Sequence, residues 1–139
     1  MLSHTATGLI GEYIAASAIL SLGFRVSLSQ QDKVDLVAWH DDEPDLFLRV
    51  QVKSCDITQR RDGRFQFNLA AGGGSKRLPK ASDHDVIALV SIHDRRCAFY
   101  ATSAINQKTK RFSQRFFQSS HLEEDSWEKA IDTIRKRRR

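Results

Sequence analysis

The chain has 139 residues, 40% of them apolar and 28% charged, with a formal net charge of +5, the size and balance of one globular domain with its own core. No apolar run approaches the roughly 20 residues needed to cross a bilayer, and the N-terminus lacks a basic segment followed by an apolar stretch and a small-residue cleavage site. The expectation is a cytoplasmic domain with no membrane partner. Cys55 and Cys97 stand in no CxxC or Cys/His zinc spacing and read as free thiols.

The positive charge is clustered in Arg135-Lys136-Arg137-Arg138-Arg139, in Lys108, Lys110, Arg111 and Arg115, and in Lys76, Arg77 and Lys80. Such clusters favour a polyanion, because each phosphate contact releases condensed counterions. For the terminal run alone, a solvated, disordered tail is the alternative.

In chain order, residues 5–22 read as a helix, with Leu9, Tyr13, Ala16 and Leu20 at helical spacing, Thr5 as N-cap and Gly23 as stop. Strands are expected over 24–28 and 34–39. His40-Asp41-Asp42-Glu43-Pro44 has turn chemistry and joins the second strand to a third over 45–53 as an antiparallel hairpin. Residues 56–63 read as a loop and 65–69 as a short strand. Gly72-Gly73-Gly74-Ser75 reads as a flexible loop. Strands follow at 86–90 and 97–101, and a C-terminal helix carries Trp127, Ala130, Ile131 and Ile134 at helical spacing. The fold class expected is α/β or α+β, one mixed β-sheet flanked by helices. A single domain over 1–134 is followed by a basic tail over 135–139.

The third strand carries the chemistry. Leu46, Leu48, Val50 and Val52 alternate onto one apolar face, leaving Arg49, Gln51 and Lys53 on the other. A polar row opposite a core face either meets water or lines a site. Asp35 sits between apolar residues in the preceding strand, where a hard cation such as Mg2+, or a cross-sheet salt bridge, would compensate its charge. Glu12 stands in an apolar helix stripe beside Ala16 and Ile19; it is either bound to a cation or an edge residue reaching water or a lysine. Gln51 offers a neutral amide oxygen and Val52 a carbonyl. The Lys53 ammonium can orient an attacking water or stabilise charge at phosphorus, and metal ions would lower the pKa of that water. Two acids, an amide and a lysine at one sheet edge suit metal-assisted phosphodiester hydrolysis.

Other features carry less. His84 and His40 read as surface turn residues. The glycine run lacks P-loop spacing, and no serine or cysteine nucleophile arrangement is present. Phe112, Phe116 and Phe117, set among arginines, could stack on bases but read as core or a subunit interface at helical spacing.

Gly8-Leu9-Ile10-Gly11-Glu12-Tyr13-Ile14-Ala15-Ala16, Val34-Asp35-Leu36-Val37, Val50-Gln51-Val52-Lys53-Ser54 and Asp85-Val86-Ile87-Ala88-Leu89-Val90 together resemble the PD-(D/E)XK nuclease superfamily. The likeness covers about the first 100 residues, and is nearest to the small bacterial subgroup with a QxK motif that includes group I intron homing endonucleases. It implies a restriction-endonuclease-like core, with Asp35 as principal metal ligand, Lys53 as catalytic lysine and Glu12 as a further ligand, direct or through water. It also implies 5′-phosphate products. The chain departs from the pattern at Val34, where the superfamily has proline, and at Gln51, where an acid is usual; the second departure removes one negative ligand and leaves the number of metals open.

The reading that follows is a DNA endonuclease using Mg2+ or Mn2+, with Glu12, Asp35, Gln51 and Lys53 catalytic and Glu12, Asp35, Gln51 and Val52 around the metal. Arg49, Lys76, Arg77, Lys80, Arg135, Lys136 and Arg137 are the residues expected to bind nucleic acid. The substrate is double-stranded DNA cut at a specific site, or branched DNA as for a Holliday junction resolvase. A domain this small implies a homodimer or homotetramer for cutting two strands. A DNA-binding module with a degenerate site is the reading from outside the enzymes.

Overall fold

A computed structural model describes residues 2–72 and 76–139. Helix α1 spans His4–Ser21, and its start is set by Ser3, whose hydroxyl accepts the Ala6 N–H at 3.1 Å. Ser3, not Thr5, is therefore the N-cap: its extended backbone leaves the hydroxyl free to take an orphan first-turn donor. At the other end Gly23 adopts φ 91, the Gly23 N–H donates to Leu20 and the Phe24 N–H to Ile19. These two bonds form a Schellman cap, closed by the apolar pair Phe24 and Ile19.

The buried face of α1 is Gly11, Ala15 and Ile19. This corrects the expected face, since Leu9, Tyr13 and Leu20 are exposed. A helix apolar on nearly every side does not show which side faces in, and close approach to a sheet selects its smallest residues.

Strands β1 (Arg25–Leu28), β2 (Leu36–His40) and β3 (Glu43–Cys55) form an antiparallel meander. The expected hairpin between β2 and β3 is present, closing at His40 and Glu43 with a register shift. β4 spans Phe65–Asn68, β5 Val86–Ser91, β6 Arg96–Ala101 and β7 Thr109–Phe112. The main sheet runs β1-β2-β3-β5-β6, with β3 and β5 parallel and the other pairs antiparallel. The result is the mixed α+β sheet expected from the sequence. β4 and β7 pair separately in a two-stranded sheet.

Helix α2, Leu122–Arg137, buries Trp127, Ala130, Ile131 and Ile134, as their spacing predicts. It shares one face of the main sheet with α1, over a core containing Leu36, Leu48, Val50, Val86, Val90 and Phe99. The opposite face carries a second core, where Ile87 and Leu89 meet Phe65, Phe67 and Phe117. Phe112 and Phe116 stack at 4.2 Å beside it. These phenylalanines thus belong to β7 and to a 3-10 turn over Gln114–Gln118 rather than to a helix.

α2 also closes an edge of the sheet. The Phe99 N–H of edge strand β6 donates to Ser126 Oγ at 3.0 Å, and the Cys97 N–H to the Glu123 carboxylate. Helix side chains thus take donors that an open edge would offer to another strand. Gly73, Gly74 and Ser75 of the expected flexible loop lie outside the described residues; next to them Ala71 and Arg77 form an antiparallel bridge.

Candidate active site

β2 begins at Leu36, opposite Val50, while β3 runs on to Cys55. Asp35 stands at the point where the shorter strand stops. Its N–H donates to the Val50 carbonyl at 2.9 Å, and its Oδ2 accepts the Val52 N–H at 2.8 Å. The N–H and C=O of one strand residue point the same way, and those of the next residue point oppositely. Val50 and Val52 therefore face the β2 side, while Gln51 and Lys53 turn their backbones to β5. Beyond Asp35 no strand among the described residues covers that side. The Val52 carbonyl opens beside the Asp35 carboxylate, and among the described residues no backbone N–H outside the strand ladders reaches it.

Glu12 reaches the same place from α1. It flanks the Gly11–Ala15 line instead of interrupting the buried face, and is half-buried. Burial, and then the negative charge of Asp35, raise its carboxyl above the usual range. Gly11 makes the approach possible, because a Cβ there would overlap Ser54 Oγ and lie 2.9 Å from Ser54 Cβ. Lys53 comes from the other face of β3 and is likewise half-buried. Burial lowers its ammonium pKa, Asp35 opposes that shift, and Lys76 adds to it. Glu12 and Lys53 thus both lie within electrostatic reach of Asp35. The half-buried Gln51 shares the Lys53 face, and its amide makes no hydrogen bond among the described residues.

Among the described residues, no three His, Cys, Asp or Glu side chains gather to hold a metal ion. The donor set is two carboxylates plus neutral oxygens. That suits Mg2+, which is commonly held by one or two carboxylates and keeps several waters. Glu12, Asp35 and the Val52 carbonyl are the groups that would hold it, with the Gln51 amide one residue away.

The basic residues singled out in the sequence divide in two. Arg49 is committed within the chain: its guanidinium meets Asp85 at 3.2 Å and the carbonyls of Ala81 and Ser82 at 2.8 and 3.1 Å. It ties the segment before β5 to β3. Arg77 is bidentate to Asp83, with both bonds at 2.9 Å, and this pair holds the Asp83 carboxyl well below the usual range. Arg135 pairs with Glu43, and Arg138 reaches Asp85 at 3.2 Å and the Phe47 carbonyl. The segment assigned to a tail is therefore helical through Arg137 and pinned to β3. Lys136 pairs with Asp132 at 2.9 Å. Lys76 donates to the Gly72 carbonyl, while Lys80 and Arg137 are exposed.

The sequence pattern missed two participants. Ser54 sits under Gly11 with its hydroxyl buried and without a hydrogen-bond partner among the described residues; only the helix crossing reveals its role. His84, expected at a surface turn, is 1% exposed and bonds Thr102 at 2.7 Å. Burial depresses its pKa to about 4, against the opposing charge of Asp83. Its position next to a wholly buried strand was the available signal.

No family model matches the chain, and no curated protein matches it. Among solved structures it is similar to a bacterial homing endonuclease, I-Ssp6803I, with a TM-score of 0.72 at 15% identity, covering 99% of this chain and 99% of that chain. At that identity the likeness is one of fold, and it spans both chains almost end to end.

Proposed function

We propose that this chain is a divalent-metal-dependent endonuclease that hydrolyses phosphodiester bonds in DNA, most simply at a specific site in duplex DNA. The observation that carries the reading is the convergence of Glu12, Asp35, the Val52 carbonyl and Lys53 where β2 stops and β3 continues. The similar fold of a protein described as a homing endonuclease supports it. When bound, Mg2+ or Mn2+ would acidify the attacking water and neutralise charge developing at the phosphate.

The chain's own groups do the rest. Asp35 is fixed by the Val52 N–H through Oδ2, and its other oxygen accepts no hydrogen bond among the described residues and would be the one to hold the cation. Glu12 supplies the second negative charge; burial and Asp35 disfavour its ionised form, and a nearby cation would favour it. Lys53 orients the water and stabilises the negative transition state. Its lowered pKa brings the neutral amine, which can accept a proton, closer to physiological pH. Gln51 contributes an oxygen without a charge. One site cuts one strand, so we infer a homodimer or homotetramer. The exposed Leu9, Tyr13 and Leu20 line one side of α1 and offer an apolar surface for it.

Plasmid nicking with Mg2+ tests the reading. Lys53→Ala is expected to abolish cleavage while DNA binding persists. Binding that ignores metal, with no cleavage of linear duplex or of a four-way junction by the unaltered chain, would sink it in favour of a non-catalytic module. Preference for the junction would identify a structure-specific nuclease instead.

A further inference from the structure

Arg25, Arg49, Arg77, Arg135 and Arg138 each lie against a carboxylate. Arg60 and Arg111 are arranged differently. Both donate to one neutral acceptor, the amide oxygen of Gln66, Arg60 through Nη2 and Arg111 through Nε, each at 3.1 Å. Gln66 and Arg111 are cross-strand partners in the β4–β7 pair. Arg60 also forms a loose ion pair with the exposed Asp62 carboxylate at 3.6 Å, longer than a hydrogen bond. Its Nε is buried and has no hydrogen-bond acceptor among the described residues. Among the described residues Arg111 forms no ion pair. Two guanidinium groups are thus held side by side by an uncharged amide, with one loose, exposed carboxylate near the first of them, a placement that an outside anion would stabilise further.

Arg60 and the shared Gln66 line a cleft that opens on the proposed active site, and Arg111 lies behind Gln66. The cleft has a volume of about 430 Å³ between Thr7 and Gly8 of α1, the Lys53 end of β3, and Arg60 and Gln66, within the range of about 300–1,000 Å³ of small-molecule and cofactor sites. Gly8 lies on its wall, and a Cβ there would meet nothing within 4 Å. Lys53 is therefore shared between the cleft and the site of cleavage. A polynucleotide backbone whose phosphate sits at Lys53 continues directly toward Arg60.

We propose that this cleft holds the phosphodiester adjacent to the one cleaved, with Arg60 as its anchor and Arg111 beside it. The inference rests on the endonuclease reading and adds to it a backbone-binding subsite made by α1 and β4. Donors held in advance by a neighbouring amide suit phosphate oxygens, and a guanidinium can meet two of them at once.

The test is binding of a short mixed-sequence duplex, by fluorescence anisotropy across a salt series with Ca2+ in place of Mg2+. Arg60→Gln and Arg111→Gln are compared with the unaltered chain. Each removed phosphate contact is expected to flatten the slope of log K against log salt by about 0.9, so that the affinity lost between about 50 and 200 mM salt shrinks roughly 3.5-fold. Arg111 is exposed, so its variant reads binding even if Arg60→Gln unfolds. In the unaltered chain the Arg60 Nε–H resonance should move when duplex is added. Salt-dependent binding by the unaltered chain, with both variants keeping its slope and the resonance unmoved, overturns the subsite and leaves the endonuclease reading standing. Absence of any DNA binding by the unaltered chain overturns both.

Discussion

Gly11→Ala is expected to injure both the fold and the site, although alanine is the better helix former. The new Cβ would coincide with Ser54 Oγ and stand 2.9 Å from Ser54 Cβ. Turning the serine about χ1 moves Oγ away but leaves Cβ where it is, so α1 itself must retreat by several tenths of an ångström. Overpacking of this kind costs about 1–3 kcal/mol, against a helix-propensity gain of about 1 kcal/mol. The net loss is then roughly 0–2 kcal/mol, up to several degrees in Tm for a domain of this size. Gly8 supplies the control, since a Cβ there meets nothing within 4 Å and Gly8→Ala should gain about 0.5–1 kcal/mol. Ser54→Gly removes both atoms that clash, so the cycle with Gly11→Ala should show a favourable coupling of about 1–2 kcal/mol. Glu12 follows Gly11 and moves with it, and displacement near 1 Å can cost about 100-fold in rate. Urea denaturation and metal-dependent nicking read the two effects separately. Equal stability of Gly11→Ala and Gly8→Ala, with no coupling to Ser54→Gly, would refute the close-approach reasoning.

His84 makes stability depend on pH in a defined window. Its folded pKa of about 4 lies below its ordinary 6.5, so above pH 6.5 the ring is neutral in both states. As pH falls from there toward 4, the unfolded chain takes up a proton that the folded chain refuses, and about 3 kcal/mol of stability is lost. Urea melts of His84→Gln should lack that step, and parallel profiles would refute the assignment. Ser126→Ala leaves the Phe99 N–H without its acceptor at the edge of the sheet, for a loss of about 1–3 kcal/mol; an unchanged melt would mean that water takes over the bond. Arg49→Met should destabilise by roughly 1–3 kcal/mol, because Asp85 keeps a largely buried charge with one partner fewer. Since that guanidinium is engaged within the chain, the salt slope of DNA binding should not change. A flattened slope would place Arg49 on the phosphate backbone.

Much of the fold was legible because it follows from local patterns. Period-two alternation marked β3, the turn residues from His40 to Pro44 marked the hairpin, and Trp127, Ala130, Ile131 and Ile134 marked the buried side of α2. The inward side of α1 was not legible, because its apolar residues surround the helix and only the sheet selects Gly11, Ala15 and Ile19. The pairing of β4 with β7 was also hidden: their short strands are far apart in sequence, and the phenylalanines beside them have spacing that suits a helix equally well. Basic residues were the least legible. A run of arginines looks the same whether its charges meet Asp85 and Glu43 or face solvent.

The sequence by itself determined the chemical inventory at the site: an acid before a strand, an amide and a lysine on the polar side of the next strand, and an acid on the first helix. Those assignments rest on spacing along one element, where backbone geometry dictates which residues share a face. Only the tertiary structure decided that β2 begins opposite Val50 while β3 runs on to Cys55, so that the Val52 carbonyl opens beside Asp35. It alone decided that Gly11 lets Glu12 approach, and that Arg60 and Arg111 share Gln66 while Arg49 serves the fold. Each of these depends on which side of one element meets which side of another, and that choice is made by packing the whole chain rather than by any segment of it.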